Sequence, residues 1–82
     1  MTTIIERRLI DAGFEKQGKG YHLLVKQHGG YSDFVYVEPK NHRIVIQNYP
    51  SLIELNDCEL LKRMGDALRL AHLDDLAKKL KI

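Results

Sequence analysis

Residues 21–38, YHLLVKQHGGYSDFVYVE, restrict the fold of this chain more than any other stretch. Two runs rich in β-branched and aromatic residues flank Gly29-Gly30, the pattern of a hairpin closed by a two-residue loop whose positive φ glycine supplies freely. The pattern predicts strands over 21–27 and 31–38. A third follows over 43–48, after a turn in which Pro39 pre-sets φ and Asn41 tolerates left-handed backbone.

The loops also predict a register. His28 faces Tyr31, Lys26 faces Asp33 and Leu24 faces Val35, while across the second turn Val37 faces Ile44 and Val35 faces Ile46. Side chains alternate between faces, so this register sends His22, Leu24, Val35, Val37, Ile44 and Ile46 to one side, with Lys26 and Asp33 paired at its end. The opposite side receives Tyr21, Leu23, Val25, Phe34, Tyr36 and Val45, ringed by Gln27, Ser32, Gln47 and a Glu38–Arg43 pair. The aliphatic side is the one expected to pack on helices. The aromatic side has no evident cover unless the last helix or the segment 49–55 folds over it.

Helices are expected on both flanks of the strands. Thr3 and Glu6 form a capping box, Ile5, Leu9 and Ala12 make an apolar stripe, and Gly13 is a stop before Phe14 turns back to the core. Residues 15–20 read as a polar turn. The segment 49–55, YPSLIEL, fits either one helical turn or an extended stretch. Asn56 and Glu59 then cap a helix, with Leu55 and Leu60 as a hydrophobic staple and Leu60, Leu61, Met64, Ala67, Leu68 and Ala71 along one face. A break is expected near 72–74, then a short helix with Leu76, Ala77 and Leu80 inward and Lys78, Lys79 and Lys81 at its end. The expected fold is α+β: one domain over 1–82, a two-layer sandwich of helix, three-stranded antiparallel meander, helix and short helix.

Several function classes lose support. Thirteen basic residues against eleven acidic ones leave a formal charge of +2, too balanced to mark a nucleic-acid binder by charge. The single cysteine, Cys58, excludes an internal disulfide, and charges follow directly on Ile4-Ile5 where a signal peptide needs an apolar core. With no apolar run of about 18 residues to span a membrane, the expectation is a cytoplasmic protein. His22, His28, His42 and His72 lack zinc spacing, so neither a metal nor a cofactor is expected. Cys58 has no assignable base, Ser32 and Ser51 no nucleophile elbow, and the glycines no phosphate-loop context. Arg7 and Arg8 read as the solvated side of the first helix.

One segment carries a resemblance. In residues 9–22, LIDAGFEKQGKGYH, a helix ends at Ala12-Gly13-Phe14 and Gly20-Tyr21-His22 follows on a strand. This resembles the start of the HicA toxins, small messenger-RNA interferases with a double-stranded-RNA-binding-like fold. The resemblance implies that His22 is the catalytic histidine, acting on the RNA backbone as general acid or base. The register above, by contrast, sets His22 beside Leu24 and Val37, where an imidazole belongs to the edge of the core.

Two readings of function follow. In the first, a non-enzymatic binding or regulatory module contacts a protein partner, or a second copy as a homodimer, through Tyr21, Phe34, Tyr36, Arg43 and Gln47. Sheet-borne aromatics also stack single-stranded bases. Glu38 beside Arg43, and the lack of a central lysine, favour protein over RNA. In the second reading the chain cleaves RNA with His22.

Overall fold

The strands extend further than a three-stranded meander. A computed structural model describes residues 4–55 and 60–81, and among these it holds five strands. They are β1 (Glu15–Gln17), β2 (Gly20–Gln27), β3 (Ser32–Glu38), β4 (Arg43–Asn48) and β5 (Ser51–Leu55), paired antiparallel in chain order. Helix α1 (Ile4–Asp11) precedes the sheet, and α2 (Leu60–Leu70) and α3 (Asp74–Lys79) follow it. The fold is α+β, as expected, with a larger sheet.

Tight turns account for the two additional strands. Gly18 takes a left-handed φ of 58°, so the polar stretch 15–20 closes on itself and Gln17 pairs with Gly20. The Tyr49-Pro50 turn sets Ser51 opposite Asn48, which makes 51–55 an edge strand rather than a helical turn. The Gly29-Gly30 loop closes differently from its prediction. Neither glycine is left-handed, and the His28 amide donates to the Tyr31 carbonyl at 2.7 Å.

Between β3 and β4 the register is the expected one, with Val37 opposite Ile44 and Val35 opposite Ile46. Between β2 and β3 it holds only near the loop, at Lys26–Asp33 and Gln27–Ser32. A bulge at Val25 then shifts the pairing, so Leu24 faces Phe34 instead of Val35, and Tyr21 faces Val37. One extra residue reverses the faces of the rest of the strand. Tyr21 and Leu23 join the aliphatic side, and His22 and Leu24 leave it.

The core lies between that aliphatic side and the helices. Val35, Val37, Ile44 and Ile46 are fully buried against Leu9 of α1, Met64 and Leu68 of α2, and Leu80 just past α3. The ends of α1 and α2 use the same device. After α1, Gly13 (φ 101°) donates to Ile10 and Phe14 to Leu9, each at 3.0 Å, and the Leu9 and Phe14 side chains are both buried. After α2, His72 (φ 63°) donates to Arg69 at 3.1 Å and Leu73 to Leu68 at 2.8 Å. The break therefore falls where it was expected, and Leu76, Ala77 and Leu80 point inward. The caps expected at Thr3 and Asn56, together with Cys58 and Glu59, lie outside the described residues.

His72 holds a backbone conformation that costs a side-chain-bearing residue energy glycine does not pay. His72→Gly is expected to raise stability by about 0.5–1 kcal/mol, read as a higher urea midpoint at unchanged slope. A lowered midpoint would show that the histidine side chain stabilises this junction.

Candidate interaction surface

The bulge decides what the sheet displays. On the side away from the core stand His22 and Leu24 from β2, Phe34, Tyr36 and Glu38 from β3, Arg43, Val45 and Gln47 from β4, and Leu52 and Glu54 from β5. Among the described residues every helix packs on the other side. The two expected covers do not lie over this face. Segment 49–55 widens the sheet as β5, and α3 packs its apolar residues into the core.

Two of the residues expected on or off this surface exchange roles. Tyr21 is not an anchor for a partner: it is 6% exposed, and its hydroxyl donates to the Glu6 carboxylate of α1 at 3.0 Å. Burial first, then the Glu6 carboxylate, push its phenol above the ordinary value. His22 is not a core-edge residue: it lies on the open face with its ring stacked on Phe34, centroids 5.4 Å apart. No hydrogen bond to a described residue orients that imidazole. Leu24, placed in the core by the predicted register, is 51% exposed beside it.

The other expected residues do gather here. Tyr36 lies across Gly20, where a Cβ would stand 2.8 Å from the tyrosine ring and 2.5 Å from the Val37 carbonyl oxygen. Glycine at 20 is thus what lets the ring lie flat on the strand. The Tyr36 hydroxyl donates to Glu38 at 2.7 Å, and Asn41 donates to the same carboxylate at 3.3 Å. These bonds hold Glu38 below its ordinary pKa, and the bond to Glu38 raises the Tyr36 phenol. Arg43 reaches Glu38 at 3.8 Å and Glu54 at 3.0 Å, which makes the expected pair a triad. Gln47 donates to the Ser32 carbonyl at 2.8 Å. The polar rim is therefore fixed by its own bonds around a strip of His22, Leu24, Phe34, Tyr36 and Val45.

Asp33, beside the β2–β3 loop, has a role the sequence reading missed. It faces Lys26 across the strands as expected, and its side chain, with the residue 3% exposed, also lies 2.8 Å from His28 Nε2 and accepts from the Tyr49 amide at 3.1 Å. One buried carboxylate thus ties the β2–β3 loop to the β4–β5 turn. His28 stacks on Tyr31, and Tyr31 meets Tyr49, with ring centroids at 4.4 and 6.0 Å. Among the described residues no three metal-ligating side chains cluster, and no helix is long and apolar enough to cross a membrane.

The His28 hydrogen bond, assisted by the Tyr49 amide and the charge on Lys26, holds Asp33 below its ordinary value of 3.8, while burial opposes the shift. A carboxyl depressed in the folded state stabilises the fold in full above its unfolded pKa, and loses that contribution as pH falls through the folded value. Asp33→Asn is therefore expected to lower stability at neutral pH and to flatten the acid limb below about pH 4. Urea midpoints measured across that range check this, and parallel curves for the two proteins would refute it.

No family model, curated protein or solved structure matches this chain.

Proposed function

We propose that this chain is a small, non-enzymatic cytosolic binding module that acts by protein–protein contact through the open face of its sheet. The supporting observation is the strip of His22, Leu24, Phe34, Tyr36 and Val45, which no described element covers and which a fixed polar rim surrounds. An apolar aromatic centre inside a polar rim is the usual anatomy of a protein interface. Charge argues for protein over nucleic acid. Arg43 is already shared between Glu38 and Glu54, and Glu15 extends the same side opposite His22. Phosphate would meet carboxylates here.

Tyr36→Ala removes the ring that crosses Gly20 and is expected to weaken partner binding at least about tenfold, as loss of an aromatic anchor does. The mass of complexes formed with a host extract, compared between parent and variant, reads the effect, with a thermal melt to confirm folding. Complexes that survive both Tyr36→Ala and Phe34→Ala would refute the reading.

A second reading retains one specific support. The bulge brings His22 to the open face beside Phe34, where a base stacks, and the resemblance of residues 9–22 to the HicA toxins makes this histidine the catalytic one. On that reading His22→Ala abolishes RNA cleavage and growth arrest. On the binding reading the parent chain cleaves no RNA, and the substitution changes only contact strength.

A further inference from the structure

Each edge strand of a sheet carries unpaired N–H and C=O groups that template pairing with another strand. The two edges of this sheet differ in protection. β1 is three residues long, and Glu15, Lys16 and Gln17 are polar and exposed. β5 is five residues long, contains neither lysine nor proline, and exposes Leu52 to 67%. Its one charge, Glu54, is neutralised within its own chain by Arg43 at 3.0 Å. Among the described residues no strand pairs with its outward side.

Register identifies the groups left open. Tyr49 and Pro50 form a two-residue loop with Asn48 opposite Ser51. Residues that bracket such a loop exchange hydrogen bonds, and bonded and non-bonded pairs then alternate along the ladder. Ser51, Ile53 and Leu55 thus direct their backbone groups at β4, and Leu52 and Glu54 direct theirs at the open edge.

We infer that β5 pairs antiparallel with β5 of a second copy of this chain, about a two-fold axis through Ile53, joining two five-stranded sheets into one. In this register Leu52 lies opposite Glu54 of the second copy, so the residues with outward backbone groups meet one another. An antiparallel edge is its own complement under a two-fold axis, which is why a second copy fits without any foreign sequence. Ile53, already packed against the core, meets its symmetry mate on the helix-bearing side and continues the apolar layer across the axis. Glu54 keeps its own Arg43, so pairing buries no unmatched charge beside Leu52. The contact is about 17 Å long, well short of a standard interface, so the dimer is weak and depends on concentration. It uses the edge of the sheet and does not rest on the proposed role of the open face.

Sedimentation equilibrium of the intact chain, from about 10 μM to about 1 mM, tests this. The apparent mass is expected to climb from 9.5 kDa towards twice that value. Leu52→Pro removes an edge-facing donor and none of the donors facing β4, and Leu52→Glu sets a like charge opposite Glu54 of the second copy at a position exposed in the single chain. Each is expected to weaken the dimer at least about tenfold, while Tyr36→Ala leaves it intact. Should the proline variant fail to fold, the glutamate variant carries the comparison. Slowed amide exchange at Leu52 and Glu54 is expected to appear as concentration rises. A monomer at every concentration overturns the inference. So does a dimer lost in Tyr36→Ala but kept in both Leu52 variants, or a dimer whose Leu52 and Glu54 amides exchange freely.

Discussion

Four side chains hold the molecule together: Val35 against Ile46 and Val37 against Ile44, two cross-strand pairs at the centre of the sheet, all fully buried. Burial of each contributes about 1.5–3 kcal/mol relative to exposure. Residues of α1, α2 and the end of α3 all settle on this quartet. With the described helices committed to one side, the other side of an antiparallel sheet faces outward, as such sheets commonly do. The open face is a consequence of where the aliphatic pairs sit.

What that face displays depends on a separate detail. The bulge at Val25 leaves the central pairs untouched and inverts only the first half of β2. A phenol then enters the core, where the Glu6 carboxylate accepts its hydrogen bond, and an imidazole comes out to stack on Phe34. Polar satisfaction allows both. Among the described residues no buried side-chain nitrogen or oxygen lacks a partner. Asp33 shows the same economy, since His28 and the Tyr49 amide replace the water it loses.

Much of the fold was legible because independent signals agreed. The β3–β4 register followed from a turn and from matched alternation on both strands, and the stops at Gly13 and near His72 followed from helical stripes that run out there. The bulge left no such trace. Val25 is a good strand residue, and no glycine or polar side chain marks it as unpaired. Five residues of YPSLIEL are too few for period to separate a helical turn from a strand, so β5 stayed ambiguous. Of the expected surface residues, Phe34, Tyr36, Arg43 and Gln47 lie together because all belong to the correctly registered pair. Tyr21 failed because it sits upstream of the bulge. Asp33 was placed on the inner side, but its partner came from a loop conformation that alternation does not describe.

The strand's identity as a surface is set by counting rather than by chemistry. Pairing Val25 into the ladder, opposite Phe34, would change no charge and no ring, yet would turn the residues before it to the other side of the sheet. The hydroxyl of Tyr21 would leave its carboxylate, and the imidazole of His22 would be forced among aliphatics. One unpaired residue therefore decides the exterior of the strand while sparing the central ladder.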